Sequence, residues 1–174
     1  WEQTARLNER IVQFDEGGME DGKSRLIALN GPTGEVAYEV KRPVPASWAS
    51  PIVVEIDGAW TVLTCADPYM IAYKAEDGSE IWRAEALSGD VAPSAVYADG
   101  KVYGVEVYSR FVAVRTGGTG DVTESHLITV GEDEIPDITS PLARGDRYWM
   151  LTTEAILTNW DVSDEALANE DAER

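Results

Sequence analysis

Apolar and polar positions alternate in short blocks along the chain, and the blocks have the length of strands rather than helices. Residues 10–14, 25–30 and 35–41 form a first set of strands, separated by an acidic, glycine-bearing loop over 15–23 and a turn over 31–34. A proline-punctuated connection over 42–48 follows, and Pro51 stands at a strand start, where a missing N–H does least harm. Residues 52–56, 60–66, 70–74 and 81–86 predict four strands, with Asp57-Gly58 as the first hairpin turn. Residues 92–98, 101–108, 110–115 and 122–130 predict four more, with Asp99-Gly100 at the equivalent turn. After a long acidic connection over 131–139, residues 140–143, 147–152 and 156–161 open a further set. No 3.6-residue apolar period is sustained, so no early helix is expected. The acidic end, 163–174, is able to frame a short helix but is expected to fray, because its charges lack a supporting apolar face. The pattern predicts an all-β fold.

The strand sets repeat. Ala72, Gly78 and Trp82 stand in a run of apolar residues, polar turn and returning strand, and Ala28, Gly34 and Tyr38 occupy the same places 44 residues earlier. Ala113 and Gly120 begin a third copy whose turn is one residue longer and whose tenth place holds no aromatic. A second landmark keeps nearly the same step: Ser50 before Pro51, Ser94 before Ala95 and Ser140 before Pro141, each opening a strand. A period of this length indicates a β-propeller or an array.

A four-stranded sheet with two apolar faces cannot bury both alone. Stacking successive sheets around an axis covers each face with its neighbour. In that arrangement Trp82 is the wedge between blades, Ala72 leaves room for it, and Gly78 supplies a positive φ at the turn.

Charge narrows the choice of partners. The chain holds 32 Asp and Glu against 14 Lys and Arg, a formal net charge of −18, which disfavours nucleic acid and anionic membrane surfaces. Cys65 and His126 are the sole representatives of their types, so no internal disulfide, cysteine metal cluster or histidine pair is available. No apolar run is long enough to span a membrane, and the chain opens on Trp partway through a repeat, as expected of a fragment.

Candidate chemistry is sparse. Asp133, Glu134 and Asp137, and Asp15, Glu16, Glu20 and Asp21, are rich in oxygen but lack the alternation of a calcium loop, and are read as solvated loop charge. His126 is read as a strand histidine with a local hydrogen bond. Residues 117–120 are no phosphate loop, because no Gly-Lys-Ser/Thr follows. Cys65 reads as a small buried hydrophobe. Trp48, Trp60 and Tyr69 are available to line a groove, although core packing claims most such residues.

The Ala72, Gly78, Trp82 run, the serine openings and Gly120-Asp121-Val122-Thr123 resemble the pyrroloquinoline-quinone (PQQ)-like β-propeller repeat family, over about residues 25–161. In that family the Ala–Gly–Trp pattern is a tryptophan-docking motif. The resemblance implies seven or eight blades, so the roughly three and a half here call for remaining blades of the same chain elsewhere in the reading frame. The fourth set departs from the pattern, with Asp164 and Ala168 in the Gly and Trp places if Thr158 takes the Ala place. Quinoprotein dehydrogenases share the propeller and need a quinone, calcium or a lanthanide, a catalytic Asp and an adjacent-cysteine disulfide. No such set is assignable here.

The reading is a single partial propeller domain over 1–174: a blade remnant 1–42, blades 43–88 and 89–131, a partial blade 132–162 and an acidic tail 163–174. Its expected role is a non-catalytic interaction scaffold, binding a protein or small molecule through loops at one end, with no catalytic or metal residues; the resemblance alone implies export to the periplasm or beyond. No cofactor is expected, with PQQ and Ca²⁺ as the outside possibility. The rivals are a piece of a PQQ-dependent alcohol or sugar dehydrogenase and a propeller resembling the outer-membrane assembly factor.

Overall fold

The structure, a computed structural model, describes residues 9–168. Its strands form four stacked sheets in chain order. The first is β1 (Glu9–Phe14), β2 (Arg25–Asn30) and β3 (Val36–Lys41), antiparallel in that order, with a single 3-10 turn at Met19–Asp21 inside the first loop. The second holds β4 (Ile52–Ile56), β5 (Ala59–Ala66), β6 (Tyr69–Lys74) and β7 (Glu80–Glu85). Next come β8 (Val96–Ala98), β9 (Lys101–Glu106) and β10 (Arg110–Arg115), then β11 (Gly120–Asp121), the short helix α1 (Thr123–His126) and β12 (Leu127–Gly131). The third sheet is β8, β9, β10 and β12, while β11 joins the second. The fourth is β13 (Leu142–Arg144), β14 (Arg147–Leu151) and β15 (Leu157–Asp161), followed by α2 (Asp164–Ala168). This is a β-propeller architecture of consecutive antiparallel blades.

Strand alternation sends successive side chains to opposite faces, so each blade contributes to two cores. Val62 faces the first blade among Leu26, Val44 and Tyr73, whereas its neighbour Leu63 packs forward with Trp82, Val102, Val112 and Val114. The same switch occurs one blade on: Val102 packs backward, and Tyr103 packs forward with Tyr148 and Trp160. Apolar burial therefore lies between blades, as the two-faced strand pattern requires.

Four expectations need correction. Residues 122–130 are not one strand, because β11 leaves the third sheet and α1 intervenes before β12. The detour from Arg115 to Leu127 passes three glycines, and an added Cβ at Gly118 would lie 2.7 Å from Val122 and 2.9 Å from the His126 ring. His126 thus ends a helical turn rather than sitting in a strand, with its Nδ1 2.7 Å from Ser125 Oγ.

The acidic end does not fray from residue 163. Leu167 of α2 is buried against the third and fourth blades, and Asp164 reaches Lys101 Nζ at 3.0 Å, so an apolar side chain and an ion pair hold the helix. Residues 169–174 lie outside those described. In the fourth blade Asn159, not Thr158, takes the Ala place: Leu63 pairs with Ala72, Tyr103 with Ala113, and Trp149 with Asn159. Trp160 then stands where Tyr73 and Val114 stand, facing backward.

The fourth correction concerns Asp15. Its side chain is fully buried in an ion pair with the equally buried Arg42, not solvated on a loop.

Candidate functional site

The repeat residues meet both within a blade and across the seam to the next one. Ala72 and Trp82 are direct partners of β6 and β7, and the alanine's small side chain leaves the indole room. Trp82 itself is buried, and its strand is extended by β11 of the next blade, with Gly120 opposite Trp82. Val122 N donates to Arg83 O at 2.9 Å, and Glu85 N donates to Thr123 Oγ1 at 2.9 Å, which completes the seam.

One blade earlier, Tyr38 covers the turn glycine Gly78. A Cβ added there would lie 2.7 Å from the phenol ring, and Gly78 has φ +73°. The Tyr38 hydroxyl donates to Ala75 O at 3.1 Å. Gly34 and Gly120 have φ +74° and +72°, while Ala28 and Ala113 are fully buried.

The third and fourth blades join differently. Ala113 is paired with Ile128, where Ala72 is paired with Trp82, and an aromatic cluster fills the interface: Phe111 stacks on Tyr148 at 4.9 Å, meets Trp160 edge-on at 5.0 Å, and Tyr103 tilts against Tyr148 at 5.0 Å. Register alone did not reveal these partners.

The connections between blades converge at one end of the stack. There Ser50 N donates to Ser94 Oγ at 3.0 Å, and Ser94 N donates to Ser140 Oγ at 3.0 Å, so the serine landmark is a ladder of hydrogen bonds from blade to blade. Beside it lies the buried polar cluster. Asp15 accepts from Ser47 Oγ and Gln13 Nε2, each at 2.7 Å, and pairs with Arg42. Gln13 also donates to Cys65 O at 3.2 Å. Burial pushes the Cys65 thiol up to about 12, with the Arg42 charge pulling weakly the other way, so the thiol stays protonated and unreactive at neutral pH.

The same end carries an open groove lined by Trp48, Asp90, Ala92, Tyr108, Asp137 and Ile138, drawn from three consecutive connections and the β9–β10 turn. Trp48, Tyr108 and Ile138 are 62%, 79% and 65% exposed. The Tyr108 hydroxyl donates to Asp137 Oδ2 at 3.2 Å, and Thr153 Oγ1 donates to Asp137 Oδ1 at 3.2 Å. The Asp137 charge and its hydrogen bond, with a contribution from Glu154, push the Tyr108 phenol above its ordinary value. Of the three aromatics available for a groove, only Trp48 lines it. Trp60 and Tyr69 pack against the core between the first two blades, and Tyr69 also lies under the Arg83 guanidinium at 5.2 Å.

A second concavity lies on the outward face of the fourth blade, over Leu142, Trp149, Leu151 and Leu157. Trp149 there is the counterpart of Leu63 and Tyr103, which the next blade covers in the second and third sheets.

The family model described as PQQ_2, outer membrane protein assembly factor BamB, matches residues 1–168. The chain belongs to this PQQ-like propeller repeat family. Two curated relatives are similar over 143 residues, 82% of this chain: quinoprotein ethanol dehydrogenase of Pseudomonas putida at 27% identity, and quinoprotein alcohol dehydrogenase PedE of Pseudomonas putida at 25%. The chain spans about one fifth of the length of each, 20% and 19%. Among solved structures, BamB from Moraxella catarrhalis superimposes with a TM-score of 0.62 at 16% identity, covering 90% of this chain and 46% of that one. The computationally designed Ika4 protein superimposes at 0.64 with 9% identity, covering 90% and 87%. These two likenesses concern the fold alone.

A quinone with its metal requires converging oxygen donors. Among the described residues no three His, Cys, Asp or Glu side chains are placed to hold a metal ion, and Asp15 is committed to Arg42. Cys65 is the single cysteine of the chain, so no adjacent-cysteine disulfide forms within it. The described residues do not fit the quinone and its metal.

Proposed function

We propose that this chain is part of a non-catalytic propeller of the bacterial envelope, and that it binds another protein through the end where the inter-blade connections converge. The observation that carries the reading is the groove: three large apolar or aromatic side chains, Trp48, Tyr108 and Ile138, stand exposed side by side on a rigid scaffold. Exposed apolar surface grouped in this way marks interaction sites. The family description as an outer membrane protein assembly factor supports an envelope location and a partner of protein type. On this reading residues 1–174 are one partial propeller domain, with Ala28, Gly34, Tyr38, Ala72, Gly78, Trp82, Ala113 and Gly120 as its structural repeat positions. The outward face of the fourth blade takes a further blade of the same repeat, whose opening serine accepts from Ser140 N as Ser140 accepts from Ser94 N.

The test is dye-linked alcohol oxidation by the full native protein, supplied with PQQ and Ca²⁺. No turnover above the protein-free rate is expected with ethanol or larger alcohols. Alcohol-dependent dye reduction would overturn the scaffold reading in favour of the second one, a segment of a quinoprotein alcohol dehydrogenase, which the 27% identity to such an enzyme favours.

A further inference from the structure

We infer that the groove over Trp48, Tyr108 and Ile138 receives an arginine side chain from an extended, basic segment of a partner protein. The inference rests on the scaffold reading and names the chemistry of its partner.

Three features converge on a cation. The groove is lined by two aromatic faces and two carboxylates, Asp90 and Asp137. Among the described residues neither carboxylate has a Lys or Arg within ion-pair distance, although five arginines and lysines elsewhere find Glu or Asp partners at 3.1 Å or less or in the buried Asp15 pair. The raised Tyr108 phenol reports a negative field at the same spot, from Asp137 and Glu154 together. A guanidinium satisfies all of it at once: its plane stacks on Trp48 or Tyr108, while its fork donates to a carboxylate.

The shape favours a polypeptide over a small cation. The groove is open along its length and is built from three separate connections, 42–51, 86–95 and 132–141, rather than closed into a cage. An extended chain lays backbone along such a trough, places an aliphatic neighbour on Ile138 and presents its arginine between Trp48 and Tyr108. The overall charge of −18 steers basic segments toward the protein and turns acidic ones away.

The probe is an acetylated, amidated nonapeptide of alternating arginine and leucine, compared with the same peptide carrying citrulline at every arginine. Citrulline keeps size and planarity and removes the charge. Binding is followed by chemical-shift changes of the Trp48 indole, assigned through Trp48→Phe. The arginine peptide is expected to shift that resonance and to bind at least about fivefold more tightly than the citrulline peptide. Asp137→Asn is expected to remove most of that preference, as is raising the salt, since both act on the field.

Equal binding of the two peptides, an arginine preference unchanged in Asp137→Asn, or no shift of Trp48 at all would each overturn the inference. These results leave the scaffold reading standing, because that reading fails through alcohol-dependent dye reduction, a separate measurement.

Discussion

The buried pair of Asp15 and Arg42 shows how a single residue departs from its local context. Asp15 opens an acidic, glycine-rich stretch, yet it is the one acid of that stretch drawn under the protein surface, because Ser47, Gln13 and Arg42 arrive from other elements to satisfy it. Removing one partner of a buried pair leaves the other charge stranded. Asp15→Ala is therefore expected to cost about 3–5 kcal/mol by urea denaturation, with Asp15→Ala/Arg42→Met recovering part of the loss. A loss below about 1 kcal/mol would contradict the buried placement.

Glu106 makes a pH-dependent counterpart. Burial alone would raise its pKa, but hydrogen bonds from Ser88 Oγ at 2.6 Å and Arg110 Nε at 2.7 Å, with the guanidinium charge, outweigh burial and hold it below the ordinary value. A depressed folded-state pKa stabilises above the unfolded-state pKa, and the gain disappears as pH falls through the folded-state value. Glu106→Gln is expected to cost about 1–3 kcal/mol at neutral pH. The gap between variant and parent should close on acidification, and a gap that stays constant to pH 3 would assign the loss to packing.

At the scale of elements, strands were legible where a short apolar run stood between turn residues. β2, β4 and β10 coincide with the expected 25–30, 52–56 and 110–115. β11 escaped because it is two residues long and contributes no apolar periodicity; its pairing with β7 is made by backbone groups of another blade. α2 escaped because its anchor is one leucine and one ion pair formed with distant residues. The seam between blades two and three rests on Trp82, whose indole is buried against Val102, Val112 and Val114. Trp82→Ala is expected to cost about 3–5 kcal/mol. Trp48→Ala, on the exposed groove, is expected to stay within about 0.5 kcal/mol, so the two should separate clearly in a denaturant titration.

For the whole molecule, the architecture follows from one constraint repeated. Each sheet carries two apolar faces, and neighbours are the only means of covering them. The outward face of the fourth blade repeats that constraint without a cover: Leu142 and Leu157 are 64% and 69% exposed, at positions a following blade would bury. The groove belongs to this scale too. Trp48, Tyr108 and Asp137 are far apart in sequence and meet because consecutive connections emerge at the same end of stacked blades.

The sequence by itself determined the all-β class and a propeller-type repeat of strand sets with landmarks about 44 residues apart. Those follow from short-range rules: side-chain alternation along a strand, and turns that demand a positive φ. Only the tertiary structure decided that Asp15 is buried, that the landmark serines bond to one another, that an aromatic cluster fills the interface between the last two sheets, and that Trp48 joins Tyr108 and Asp137 in a groove. Each of these depends on groups from different blades, whose juxtaposition is set by how sheets stack and not by the spacing of residues along the chain.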